Sequence, residues 1–324
     1  MAGALALIKT AGVLVVDKPR GPTSHDVVAR VRRALGTRQV GHAGTLDPMA
    51  TGVLVVAVGE ATKLTPYLTA TDKAYEAVIR LGVGTDTLDA DGSEVSRVPL
   101  SPALHDAIAA VAGGARGDAL PEILAAAVIR ERERSQQVPP VFSAIKIAGQ
   151  RSHALARRGE APDLAPRPVT VKTLNVTHGH VQGADAELVV TLEVSKGYFV
   201  RALARDLATS LGTTGHLTAL RRTKAGVFNL DGAATLDDAE TLPERLAGAL
   251  VPLERAAALA LPVTRLTAAG VRDAGHGKLV PVAELDATHA EPSLWVDETG
   301  RLVAIGEIVA DGTAGRVLRG FNAA

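Results

Sequence analysis

Between residues 41 and 52 the chain reads GHAGTLDPMATG, which gathers one carboxylate (Asp47), one imidazole (His42) and two hydroxyls (Thr45 and Thr51) among three glycines and a proline. A carboxylate placed in such a loop can serve as a nucleophile or a general base. The glycines permit positive φ and close approach of a ligand, while Pro48 fixes its own φ and drives Asp47 towards extended geometry. The carboxylate is therefore expected in a stiff, non-helical turn with its aim preset. Taken singly, Asp47 reads as a turn residue and His42 as a structural histidine. Their concentration in one loop is what points to chemistry.

A loop of this kind needs a rigid base, and its flanks supply one. Residues 12–17 (GVLVVD) and 52–59 (GVLVVAVG) are short, continuous β-branched runs bounded by glycine, the pattern of strands buried on both faces. Between them Ser24 can cap a helix in which Val27, Val28, Val31 and Leu35 recur at helical spacing before Gly36 ends it. Residues 73–82 (KAYEAVIRLG) alternate like a strand and carry Tyr75, one of only three tyrosines. An isolated tyrosine is usually amphipathic core, yet in an RNA enzyme it can stack on an unstacked base, worth about 1–3 kcal/mol.

The segment TDTLDADG at 85–92 alternates oxygen ligands before a glycine, as a calcium loop does. With Thr87, Asp89, Asp91 and Gly92 in the first half of such a loop, Val98 falls where the bidentate glutamate should be. No metal and no cofactor are assigned. Residues 101–137 are alanine-rich and helical, with a second helix starting near Pro121 and ending in RERER, whose mixed charge reads as a solvated face. The apolar strand at 188–194 runs into SKGYFVR at 195–201 and then into a helix carrying Leu203 and Leu207. Beyond about Pro252 the character changes to short strands and turns, including a hairpin over 293–305.

With 324 residues, 47% hydrophobic, 22% charged and 2% aromatic, the chain describes an Ala/Val/Leu-rich globular protein with room for a large domain and a smaller one. Zero cysteines exclude disulfides, thiolate nucleophiles and Cys-ligated zinc. Met1 to Ile8 lack a basic leader region, and no apolar run approaches the roughly 20 residues that span a bilayer, so a cytoplasmic protein without leader or membrane span is expected. Net charge is +0, but residues 139–224 hold twelve Lys/Arg against six Asp/Glu, whereas 225–260 hold two against six. A basic face suited to phosphate and a separate acidic face follow.

The loop around Asp47 resembles the GHxGxLDPxAxG signature of the TruB-type tRNA pseudouridine synthases. Upstream, DKPRGPTS at 17–24 resembles that family's first motif. Downstream, the Tyr75 strand, the 85–92 turn, QVPPVFSAIK at 137–146 and the SKGYFVR segment match in order. The resemblance implies an α+β fold: a catalytic domain over 1–251, built on a mixed, mainly antiparallel sheet with flanking helices, an RNA-gripping insertion near 101–137, and a small all-β PUA-like domain over 252–324.

It further implies Asp47 as the catalytic residue, Arg201 as its partner, Tyr75 packed on the target uracil, and Phe199 and Leu220 as pocket walls. His42 would fill or brace the RNA. Phe142 and Phe199 stand where the family commonly has tyrosine. The implied reaction isomerises uridine 55 in the T loop of tRNA, by a monomer without guide RNA, metal or membrane, the C-terminal part meeting the acceptor end. A guide-dependent relative in a ribonucleoprotein and a tRNA-folding chaperone using the same groove stay open as alternatives.

Overall fold

The computed structural model describes residues 11–321 except 144, 148–149, 157, 159, 161–162 and 242; Met1 to Ile8 and Ala144 of the 137–146 segment lie outside them. The β-branched runs form the centre of an eight-stranded sheet. Its order is Val171–Gln182, Asp185–Val194, Lys73–Leu81, Gly215–Ala225, Thr51–Val58, Gly12–Lys18 and Val251–Pro252, with Val40–His42 as a further partner of Thr51–Val58. Every pairing is antiparallel except that of Gly215–Ala225 with Thr51–Val58, where Arg221 faces Thr51 and Arg222 faces Gly52. The sheet is mixed and mainly antiparallel, as the resemblance implies.

Both central strands are buried on both faces because the sheet is covered twice. Leu14, Val16, Leu54 and Val56 meet a helical layer: Ser24–Ala34, Pro102–Ala112, Glu122–Arg132 and Val200–Ser210 all contribute to that core. Their neighbours Val13, Val53, Val55 and Ala57 face the other way. They pack against the turn Gly59–Leu64, the helices Thr65–Thr69 and Leu253–Ala260, and a second sheet. That sheet has five strands, ordered Val263–Arg265, Ser293–Val296, Leu302–Ile308, Ala314–Gly320 and Val280–Pro281. Its own core is built around Trp295, which is fully buried; a Cβ on Gly306 would lie 2.1 Å from the indole.

Two readings of the sequence need correction. The cap of the Ser24–Ala34 helix is Thr23, whose hydroxyl accepts from Asp26 N while the Asp26 carboxylate accepts from Thr23 N. Ser24 is instead buried and bonded to the active loop. The RERER end of the second helix is not simply a solvated face. Glu131 is fully buried and paired with Arg134, and Arg132 donates to Leu174 O at 2.6 Å.

Candidate active site

The loop between Val40–His42 and Thr51–Val58 is tied down on both sides of Asp47. One edge of Thr51–Val58 pairs with Arg221 and Arg222 at its start and with Val40–His42 at its end, leaving carbonyls between them to be satisfied. Ala43 N donates to Val55 O at 2.8 Å, and the buried Arg222 guanidinium donates to Val53 O at 2.7 Å and to Gly44 O at 3.0 Å. Gly52 adopts φ +97°, and a Cβ there would lie 2.2 Å from Arg222 O, so only glycine fits. The Ser24 hydroxyl accepts from Leu46 N at 2.9 Å and donates to Leu46 O at 3.0 Å, clamping the residue before Asp47. Behind the loop, fully buried Lys18 donates to Ala50 O at 2.7 Å, Pro19 O at 2.9 Å and Pro48 O at 3.3 Å. Burial lowers the Lys18 ammonium to about 8, with the charge of Asp47 acting in the opposite direction.

Arg201 is the second residue of the helix Val200–Ser210, where the positive end of the helix dipole disfavours a cation. Its partners outweigh that. Nε lies 2.9 Å from Asp47 Oδ2, and Nη1 donates to Thr87 O at 2.9 Å and stands 3.5 Å from Asp89 Oδ2. Nη2 donates to Phe142 O at 2.9 Å. The Arg201 side chain is 8% exposed and that of Asp47 35%, so the arginine is sealed while the carboxylate stays reachable. The 85–92 segment thus delivers an acid to the arginine. Burial pushes the Asp89 carboxyl up, opposed by the Thr87 hydroxyl at 2.6 Å, the Arg201 charge and the Asp91 N–H.

The turn before this helix is fixed by Gln137, whose side-chain Oε1 accepts from Phe199 N at 2.9 Å while Nε2 donates to Phe199 O at 3.2 Å. Burial pushes the Tyr198 phenol up, with the charge of Glu131 adding to the rise and that of Arg134 opposing it.

Asp47, Tyr75, Phe199, Arg201 and Leu220 line one cleft of about 150 Å³. His42 does not join them; its ring meets His25 edge-on, with centroids 5.4 Å apart at 82°, and burial lowers its pKa. Thr45, named above only as a loop hydroxyl, lines the cleft too, as do Tyr198 and Ser143, which the sequence does not single out. The signal for Tyr198 was available: two successive aromatics at a strand-to-helix turn can both face an opening. Thr45, Tyr75, Tyr198 and Phe199 continue into a second cleft of about 460 Å³ that carries Lys73, Lys196 and Arg222. Asp47 is the only carboxylate lining either cleft among the described residues. One reachable carboxylate, held by a buried guanidinium in an aromatic cleft with a cationic extension, is a site for covalent or base chemistry on a flat anionic polymer unit.

Comparison with known proteins agrees with that class. Residues 32–200 match the model described as TruB family pseudouridylate synthase (N terminal domain), and residues 201–258 that of the tRNA pseudouridylate synthase B C-terminal domain. The chain belongs to the TruB family of pseudouridylate synthases. It is 46% identical over 302 residues to tRNA pseudouridine synthase B of Thermobifida fusca (strain YX), covering 91% of this chain and 94% of that one. With the protein of the same name from Rhodococcus jostii (strain RHA1) it shares 43% over 296 residues, covering 91% and 89%. Among solved structures it is similar to a chain of an H/ACA RNP bound to a substrate RNA containing 2'-deoxyuridine. There the TM-score is 0.65 at 23% identity, over 96% of this chain and 85% of that one, a likeness of fold.

Proposed function

We propose that this chain isomerises uridine to pseudouridine at position 55 in the T loop of tRNA, acting without guide RNA. The observation that carries the reading is the Asp47/Arg201 pair at 2.9 Å in a cleft walled by Tyr75, Phe199 and Leu220. The reaction breaks the bond from uracil N1 to the ribose, turns the base, joins C5 to the ribose, and releases the C5 proton while N1 takes up one from solvent. The reaction involves no net oxidation or reduction and no phosphoryl transfer, so a positioned carboxylate and a base pocket are sufficient. Asp47 supplies the carboxylate. Extruding the uridine costs a few kcal/mol, which stacking on Tyr75 offsets.

The tRNA substrate is favoured by the relatives that match at 43–46% identity, which are named as tRNA pseudouridine synthases, over the ribonucleoprotein chain matched at 23%. In this reading the C-terminal five-stranded sheet is the PUA-like RNA-binding part and meets the acceptor end. His42, on the strand leading into the loop, braces the T-loop RNA outside the cleft. The enzyme works as a monomer in the cytoplasm, and no helix among the described residues is long and apolar enough to cross a membrane.

The test is tritium release from C5-labelled uridine in an isolated T-arm stem-loop, with purified protein and no added metal, nucleotide or second RNA. Release at that uridine is expected. A requirement for another RNA, or turnover at other uridines alone, would sink the reading.

A further inference from the structure

The five-residue helix Thr65–Thr69 has no side-chain cap and is too short to hold its own position. It touches two things. On one face Pro66, Thr69 and Ala70, at helical spacing, line the cleft that continues from the Asp47 cleft. Lys73, across the same cleft, donates to Thr69 O at 2.6 Å and also to Thr71 O. On the other face Leu64, Tyr67 and Leu68 pack into the apolar cluster shared with Leu294, Val296 and Ile305 of the C-terminal sheet.

Polar contacts fasten the same junction. Lys63, in the turn Gly59–Leu64 that leads into the helix, donates to Gly320 O at 2.7 Å and lies 5.3 Å from the centroid of the Phe321 ring. Burial raises the Tyr67 phenol, with the charge of Arg319, on the C-terminal sheet, opposing and that of Glu307, on the same sheet, adding to the rise. The C-terminal sheet and the substrate cleft therefore meet on opposite faces of one short helix.

We propose that Lys63 and Tyr67 are positioning residues through which the C-terminal sheet sets the wall of the cleft beside Asp47. The C-terminal sheet then helps to hold the nucleotide next to the isomerised uridine, even for an RNA too small to reach that sheet. The inference rests on the reading of the protein as a tRNA pseudouridine synthase. It differs from a simple grip on the acceptor end, because a grip matters only to an RNA that has one.

The full-length variants Lys63→Met and Tyr67→Ala distinguish the two on a T-arm stem-loop and on whole tRNA. Trp295, the single tryptophan, lies in the C-terminal sheet's own core away from the junction, so its emission reports whether that sheet stays folded. The expected result is a KM raised about 3- to 10-fold on both RNAs, with kcat changed less, Trp295 emission unchanged, and Tyr67→Phe restoring the KM. A loss confined to whole tRNA, or an unchanged KM on both, would overturn the proposal. Should either variant shift Trp295 emission, Phe321→Leu, which removes the ring beside Lys63 while keeping an apolar side chain against the junction cluster, takes its place under the same criteria. Wild-type protein inactive on both RNAs would count against the function itself. In that case stem-loop affinity in an Asp47→Asn background, weakened or not by Lys63→Met, still decides the positioning role.

Discussion

At the scale of single residues, the Asp47/Arg201 pair sets the strongest expectations. Asp47→Asn keeps volume and much of the hydrogen bonding but removes the charge, so RNA affinity should hold. Turnover should fall by at least the roughly 10²- to 10⁴-fold assigned to a general base, and to background if the carboxylate is also the nucleophile. Retained turnover in a folded Asp47→Asn protein would remove Asp47 from the chemical step. Arg201 holds four partners at once, the carboxylates of Asp47 and Asp89 as ion pairs and the carbonyls of Thr87 and Phe142 as hydrogen-bond acceptors. A lysine keeps the charge but not the planar fork, and leaves buried acceptors unpaired. Arg201→Lys should therefore lose about 10-fold or more in kcat with a smaller change in KM; near-normal kcat would mean that charge alone suffices there.

At the scale of elements, what decides the site is how strands and helices are tied to one another across the sheet. The Gln137 side chain pins both backbone groups of Phe199 at the start of the Arg201 helix. Gln137→Leu should thus cost about 1–3 kcal/mol of stability and misplace the aromatic wall, raising KM more than it lowers kcat. Urea unfolding and steady-state kinetics on the same protein check this, and an unchanged midpoint would show that Val200–Ser210 is anchored elsewhere. The strands 12–18 and 51–58, the Ser24–Ala34 helix and the hairpin near 293–305 were legible because their apolar periodicity and glycine boundaries are local signals. Asp47, Tyr75, Phe199, Arg201 and Leu220 were legible through motif order, and the structure brings these five to one cleft. Not legible was whatever depends on distant chain segments. Ser24 resembles a cap until Leu46 is folded onto it. Glu131 and its i,i+3 neighbour Arg134 resemble a surface pair until the fold buries Glu131 completely. Asp89 stood in a failed metal loop until Arg201, more than a hundred residues later, arrived beside it. Sequence spacing carries no information about such partners.

At the scale of the whole molecule, the chain stacks a helical layer, an eight-stranded sheet and a C-terminal sheet, and the cations it buries near the clefts include two lysines, Lys18 and Lys73, beside Arg201 and Arg222. Burial lowers both Lys18 and Lys73 from about 10.5 to about 8; the Asp47 charge opposes this at Lys18, while the Arg222 charge reinforces it at Lys73. The consequence for stability has a definite sign. Below pH 8 the folded and unfolded chains both hold these protons, and the cost of burying the charges is fully present. Between about pH 8 and 10.5 the unfolded chain binds more protons than the folded one, so this contribution makes the protein more stable as pH rises. The slope reaches at most about 1.4 kcal/mol per pH unit for each lysine. Other groups titrate in the same range, so the measurement is a difference. The urea midpoints of wild type and Lys73→Met should be compared at pH 7.5, 8.5 and 9.5 with equal ionic strength. Lys73→Met removes one of the two buried sites, so wild type should gain on the variant as pH increases. A wild-type-minus-variant difference that stays constant, or that falls, as pH rises would show that Lys73 keeps an ordinary affinity for its proton. In that case the ammonium is held charged in the cleft and is available to an RNA phosphate across the whole range.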